Sequence, residues 1–219
     1  MIAWDKVPEY LPLLLQGAVA TIQVSVGALV ISLPLGLLWA FMTMSKNPLA
    51  RLPVVVMINL IRGMPMIVLL YYVYFVMPDL GLELSSMQSA IFGLAFAYST
   101  YLAEVFRGGI EGVDSGQMEA ARSIGMGKIK AMRRVVLPQA FRLALPPFAN
   151  MLVMLVKDSA IASVVAVTEI TRQGQLVASA TFDNMTVFTL VAFLYLVMTL
   201  PLMQFTRWLE VHFGKHRSR

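Results

Sequence analysis

RGGIEGVDSGQMEAARSIGMGKIKAMRRVVLPQAFR, running from Arg107 to Arg142, is the only long hydrophilic stretch in an otherwise strongly apolar chain. Of the 219 residues, 58% are hydrophobic and only 13% are charged, and the mean hydropathy is +0.75. A soluble domain carries about 25% charged residues. So large a deficit leaves no means of building a water-facing surface, and the chain belongs in a bilayer. It contains no cysteine, which excludes a disulfide framework and a thiolate metal site.

Outward from this loop, three apolar segments precede it and two follow. Crossing the hydrocarbon core takes about 20 mostly apolar residues. The qualifying stretches are Leu11 to Met44, which has no charge; Leu52 to Met77, interrupted by Arg62; and Met87 to Phe106, with Glu104 near its end. After the loop come Leu143 to Val167, containing Lys157 and Asp158, and Met185 to Phe205. The expected fold is all-α: a polytopic membrane protein of about five transmembrane helices, one domain over residues 1–219, with the loop at about 107–142. Ahead of the first run, Asp5 and Glu9 outweigh Lys6, the wrong sign for a secretory leader, and the run is longer than a leader's apolar core. It reads as a retained span.

Charge asymmetry sets the expected orientation. Lys46, Arg51, Arg107, Arg122, Lys128, Lys130, Arg133, Arg134, Arg142, Arg207, Lys215, Arg217 and Arg219 fall on one side. The other side holds only Lys6 and Arg172 among Asp5, Glu9, Asp79, Glu83, Glu169 and Asp183. The basic side is expected in the cytoplasm, with the N-terminus outside, the C-terminus inside, and the loop between spans three and four cytoplasmic. Within the loop, Met118 to Ile124 is compatible with a short helix, and Gly125 and Gly127 can end it. A second run, Lys128 to Leu137, is expected to stop at Pro138. Two short helices on a glycine turn suit a docking surface; a solvated basic loop accounts for the charges equally well.

Spacing within the loop is more specific. Glu119-Ala120-Ala121, three residues, Gly125, nine residues and Val135-Val136-Leu137-Pro138 resemble the EAA loop of ABC importer permeases, with Val135 replacing the family's isoleucine. Asp114-Ser115-Gly116-Gln117, Pro138-Gln139-Ala140-Phe141-Arg142, Lys157-Asp158-Ser159 and Arg62-Gly63-Met64-Pro65 are similar to the polar amino-acid permeases of the histidine, glutamine, arginine or cystine type. Met64 stands where threonine is common in that family, and Ala160 where serine is frequent.

The resemblance implies a type I ABC importer transmembrane fold whose loop fits a groove on a separate ATPase, with Glu119, Ala120, Ala121, Gly125, Leu137 and Pro138 coupling the two. It implies two ATPase subunits, a second permease chain (identical or paralogous), an extracytoplasmic solute-binding protein, and an amino acid or related small polar solute. The place is a bacterial inner membrane; ATP and Mg are held by the partner ATPase, the chain itself needs no cofactor, and no nucleic acid is involved. The residues agree that the motor is elsewhere. No phosphate loop of the form G-x-x-x-x-G-K-[ST] occurs: before Gly127-Lys128, Arg122 replaces the first glycine, and Ile129 replaces the hydroxyl.

Ionisable groups at span centres cost roughly 2.5–3.5 kcal/mol each and persist where they have a partner or a task. Arg62 lies about ten residues, or roughly 15 Å, into the second span. Lys157 and Asp158 lie at similar depth in the fourth. Pro65 removes a backbone N–H and frees the Ile61 carbonyl beside Arg62, and such breaks at membrane depth line cavities or are buried in protein. One reading has Arg62 drawing a solute carboxylate, Asp158 its ammonium group and Lys157 tuning the pair, with Glu104 a further candidate. The other has Arg62 and Asp158 as a structural salt bridge.

A secondary transporter driven by an ion gradient would explain the midplane charges but not the loop. An intramembrane enzyme lacks H-E-x-x-H, G-x-S-x-G and any cysteine nucleophile. The 16 methionines and the aromatics read as packing and interface anchors. Gln16 and Gln23 read as interhelical hydrogen-bonding groups, and His212 with His216, lacking further ligands, as part of a basic tail.

Overall fold

The computed structural model describes residues 2–213 and contains no strand among them. Its helices are α1 (Val7–Thr43), α2 (Pro48–Gly63), α3 (Met66–Tyr71), α4 (Ser86–Glu111), α5 (Ser115–Ser123), α6 (Lys128–Ala131), α7 (Leu137–Asp158), α8 (Ile170–Thr181) and α9 (Asn184–Phe213). Lys215, His216, Arg217 and Arg219 lie outside the described residues.

Four stretches are long and apolar enough to cross a bilayer: 4–43, 86–111, 128–165 and 184–213. The fifth expected span is not a straight rod. α2 and α3 meet at 108°, with Pro65 at the corner. Proline's ring clashes with a helical residue before it, and Met64 is accordingly extended (φ −103°, ψ 150°). The chain resumes as α3 and widens into a π-helical turn over Tyr72–Val76.

Pro138 does not stop a helix, contrary to the expectation from sequence. The chain runs through from α6 to α7 by way of a π-helical turn, Met132–Val136, in which Leu137 N–H reaches the carbonyl of Met132. The widened turn restarts the hydrogen-bond register, so Pro138 falls in the first turn of α7. There its missing N–H costs nothing. A second departure is α8, a short helix between the fourth and fifth spans that apolar run-length does not reveal.

The long contact is between α1 and α4. Small side chains let the two backbones approach, as membrane helices require when hydrophobicity alone does not drive them together. A Cβ on Gly36 would sit 2.7 Å from the Leu102 Cβ and 3.1 Å from the Ser99 carbonyl. Trp39 Nε1 donates to Ser99 Oγ across the same seam at 3.1 Å. Val24 and Ala28 of α1, Leu70 of α3, Leu94 and Tyr98 of α4 and Leu155 of α7 form one buried core. Tyr10 and Leu14 form another with Ile170 and Val177 of α8 and Val187 and Val191 of α9. Gln16 and Gln23 are exposed instead; the helix-to-segment bond on this side comes from Thr21 Oγ1, which accepts from Ile170 N–H at 3.2 Å.

Glu169 anchors α8. It is fully buried and accepts from the N–H groups of Thr171 at 2.8 Å and Arg172 at 2.7 Å. Tyr195 OH of α9 donates to it at 2.7 Å. Burial raises its pKa above the usual carboxylate value, while these hydrogen bonds pull the other way. Removing the carboxylate uncaps α8 and leaves the Tyr195 hydroxyl with Thr171 Oγ1 at 3.2 Å as its remaining partner, at a cost of about 1–3 kcal/mol. Glu169→Ala is therefore expected to melt several degrees below wild type in detergent, and Tyr195→Phe by less, as read by a thermal unfolding assay; equal melting temperatures would contradict this anchor.

Candidate functional site: a projecting loop and a line of charge within the spans

The loop between α4 and α7 folds as two short helices around a glycine. Asp114 caps α5, its carboxylate accepting from Gly116 N–H at 2.7 Å. α5 ends where Gly125 turns the chain with φ +83°, a backbone that a side chain adopts only with strain. Gly125 N–H bonds the Arg122 carbonyl at 3.0 Å, and Met126 N–H bonds that of Ala121 at 3.1 Å, closing the helix end.

Of the loop residues singled out in sequence, Ala121 is buried, with α5 packed on α6 and the π-helical turn that follows it, while Glu119, Ala120 and Gly125 are exposed. Ile124 and Ile129 are 80% and 85% exposed, an unusual placement for two large apolar side chains on a hydrophilic loop. Leu137 is half-buried and Pro138 exposed at the start of α7. Gln139 Nε2 donates to Gln117 Oε1 at 3.2 Å and ties α5 directly to α7. α7 is also the helix that carries Lys157 and Asp158.

The midplane groups are arranged otherwise than as a direct ion pair. Among the described residues the ion pairs are Lys6 with Glu9, and Arg107 with Glu104 and Glu111. No Arg62–Asp158 salt bridge forms among the described residues. Asp158 instead accepts from Tyr98 OH at 2.6 Å, while the Arg62 guanidinium lies 5.3 Å from the centre of the Tyr101 ring, within cation–π range. Tyr98 and Tyr101 lie one turn apart on α4, their ring centres 6.1 Å from each other. Arg62, Tyr101, Tyr98 and Asp158 therefore make a continuous line from the bent second span to the end of α7.

Lys157 and Arg62 are exposed on the surface of the single chain, and Asp158 is half-buried. Glu104 is held by Arg107 on its own helix. The sequence reading missed Tyr98 and Tyr101. Their spacing of three on a helix, with an acid inside another span, was the available signal, but among seven tyrosines it did not stand out.

These features define a helical membrane subunit with a projecting loop and with charges inside its spans. Residues 32–215 match the family model described as binding-protein-dependent transport system inner membrane component. The chain belongs to that family. It is 37% identical over 215 residues to the probable glutamine ABC transporter permease protein GlnM of Bacillus subtilis (strain 168), covering 98% of this chain and 97% of that one. It is 32% identical over 209 residues to the glutamine transport system permease protein GlnP of Escherichia coli (strain K12), covering 94% and 95%. Among solved structures, one of an amino acid ABC transporter with histidines matches at 33% identity with a TM-score of 0.91, over 97% of this chain and 99% of that one. The inward-facing MetNI methionine ABC transporter, at 21% identity and a TM-score of 0.66 over 95% and 99%, shares the fold.

The protein is a permease of the ATP-binding-cassette type, a multi-pass translocation subunit whose family works with an ATPase and a binding protein, and the ion-gradient alternative falls away.

Tyr98 is the partner that lets Asp158 sit where it does. Tyr98→Phe leaves the carboxylate without its hydroxyl and is expected to cost about 1–3 kcal/mol, lowering the melting temperature in detergent. Asp158→Asn keeps an acceptor for Tyr98 and should melt near wild type. The reverse order would contradict the pairing.

Proposed function

We propose that this chain is the translocation subunit of an importer for an amino acid or a related small polar solute, moving it from the exterior or periplasm to the cytoplasm. The N-terminus lies outside and the C-terminus inside a bacterial inner membrane. Two ATPase subunits hold the ATP and Mg, and an extracytoplasmic binding protein delivers the solute. The relatives named for glutamine and the match to an amino acid transporter support this solute class.

The observation that carries the reading is the loop itself. The exposed face of Glu119, Ala120 and Ile124 is rigidly backed by buried Ala121 and turned by Gly125. A short helix with small and apolar residues facing outward suits insertion into a groove. Glu119, Ala120, Ala121 and Gly125 engage the ATPase, and Leu137 and Pro138 begin the helix that receives the stroke.

A second permease chain, identical or paralogous, follows from the exposed charges. Arg62 and Lys157 cannot face lipid without a cost of several kcal/mol together, so a partner subunit and an aqueous pathway cover that side. There Arg62 meets a solute carboxylate and Asp158 its ammonium group, with Lys157 tuning the pair; Tyr98 and Tyr101 orient the first two. Glu104, tied to Arg107, stands at the margin of the route.

The test is uptake by proteoliposomes containing the permease, its ATPase and the binding protein. A Cβ at Gly125 meets nothing within 4 Å in this chain, so Gly125→Asp carries only about 1–2 kcal/mol of backbone strain and should insert normally. ATP-driven uptake should nevertheless fall to background. Normal uptake by that variant would refute the coupling role, and uptake by wild type without ATP would refute the importer.

A further inference from the structure

A second feature of the same end of the bundle is left without a task by transport. α1, α4 and α7 enclose an apolar groove of about 540 Å³, walled by Leu37, Phe41, Phe106, Ile110, Phe141 and Phe148. It reaches from Phe41, near the end of α1, to Leu33, two turns deeper, or about 12 Å along the helix axis. At its mouth stands Arg133. The same Arg133 also borders a basic cleft with Lys128, Lys130 and Arg134. None of these four cations has an acidic partner among the described residues.

Depth and charge agree on what fits. The continuous helix from Lys128 to Val165 spans 38 residues, about 57 Å, against a hydrocarbon core of about 30 Å. Its basic first turns must therefore project into the headgroup region while Phe141 and Phe148 enter the acyl layer. An occupant needs a hydrocarbon tail for the groove and a negative head for the cleft, joined at Arg133.

We propose that this is a binding site for one anionic phospholipid, with an acyl chain in the groove between α1, α4 and α7 and the phosphate held by Lys130, Arg133 and Arg134. The charge complementarity carries the proposal: a zwitterionic lipid would also bring a phosphate, but its headgroup cation would lie against the four positive charges of the cleft. The site needs only that this end of the bundle meets a membrane surface; it is separate from the solute route, while Leu137 and Pro138 of the coupling segment also line the groove. A lipid seated there would brace α7 just beyond its π-helical turn, where α5 is tied to it.

The experiment is native mass spectrometry of the full permease purified with its ATPase and exposed to an equimolar mixture of phosphatidylglycerol and phosphatidylcholine. Wild type should retain one phosphatidylglycerol preferentially. Each cation near a membrane surface contributes about 5-fold in affinity, so the triple variant Lys130→Gln, Arg133→Gln, Arg134→Gln should lose about 100-fold of that preference. Leu37→Trp, on an exposed wall position with all cations intact, should weaken retention by blocking the tail. Three results would overturn the site: no preference in wild type, a preference unchanged by both variants, or a triple variant that keeps the lipid but releases the ATPase. The last would assign the cations to the partner chain.

Discussion

The close approach of α1 to α4 holds the bundle together. In hydrocarbon, apolar surface gains little by meeting other apolar surface, so helices associate by contact at short range. Gly36 against Leu102 and Ser99 allows that range, and the Trp39–Ser99 hydrogen bond fixes the register. α4 then offers its other faces to α3, through Leu70, and to α7, through Tyr98 and Asp158. A larger residue at position 36 would push α1 away and disturb every helix that uses α4 as its support.

From that support the irregular parts follow. A helix broken at membrane depth is tolerable where protein surrounds it, and the corner at Pro65 lies beside α4, with Ile61 and Leu69 packed on Ala97. The corner aims Arg62 at Tyr101, and the end of α7 aims Asp158 at Tyr98. Two opposite charges thus lie along the same face of α4 without neutralising each other. Each charge is held by a tyrosine of α4 and not by the other, whereas a direct salt bridge would pair them.

Much of this was legible in the sequence, for physical reasons. Span number, charge asymmetry and the loop depend on composition over long windows, which the bilayer enforces strictly. The turn at Gly125 was legible because glycine takes a left-handed backbone more readily than any other residue. The break at Pro65 was legible as a break, but its 108° angle depends on packing against α4. Pro138 was misread because a proline marks a possible helix end, and only the π-helical turn before it shows that the helix continues. α8 escaped notice because it is short and depends on a tertiary anchor, Glu169 with Tyr195, whose partners lie 26 residues apart. Tyr98 and Tyr101 escaped because a tyrosine in a span is ordinarily an anchor or a packing residue, and its partner cannot be known before the helices are placed.

The account's central claim is mechanical: α5 is seated in a neighbouring ATPase, and its movement passes through the Gln117–Gln139 link into α7. The natural absence of cysteine makes a single reporter clean. Ala120→Cys, on the exposed face of α5, should form a crosslink to the ATPase subunit through a short thiol-anchored photoreactive reagent in native membranes, with ATP changing the yield. Because the ATPase need not offer a thiol, the reagent carries one thiol-reactive end for position 120 and one photoreactive end for the neighbour; a label that never captures the ATPase, or a thiol labelled by an impermeant reagent added outside intact cells, would contradict the account.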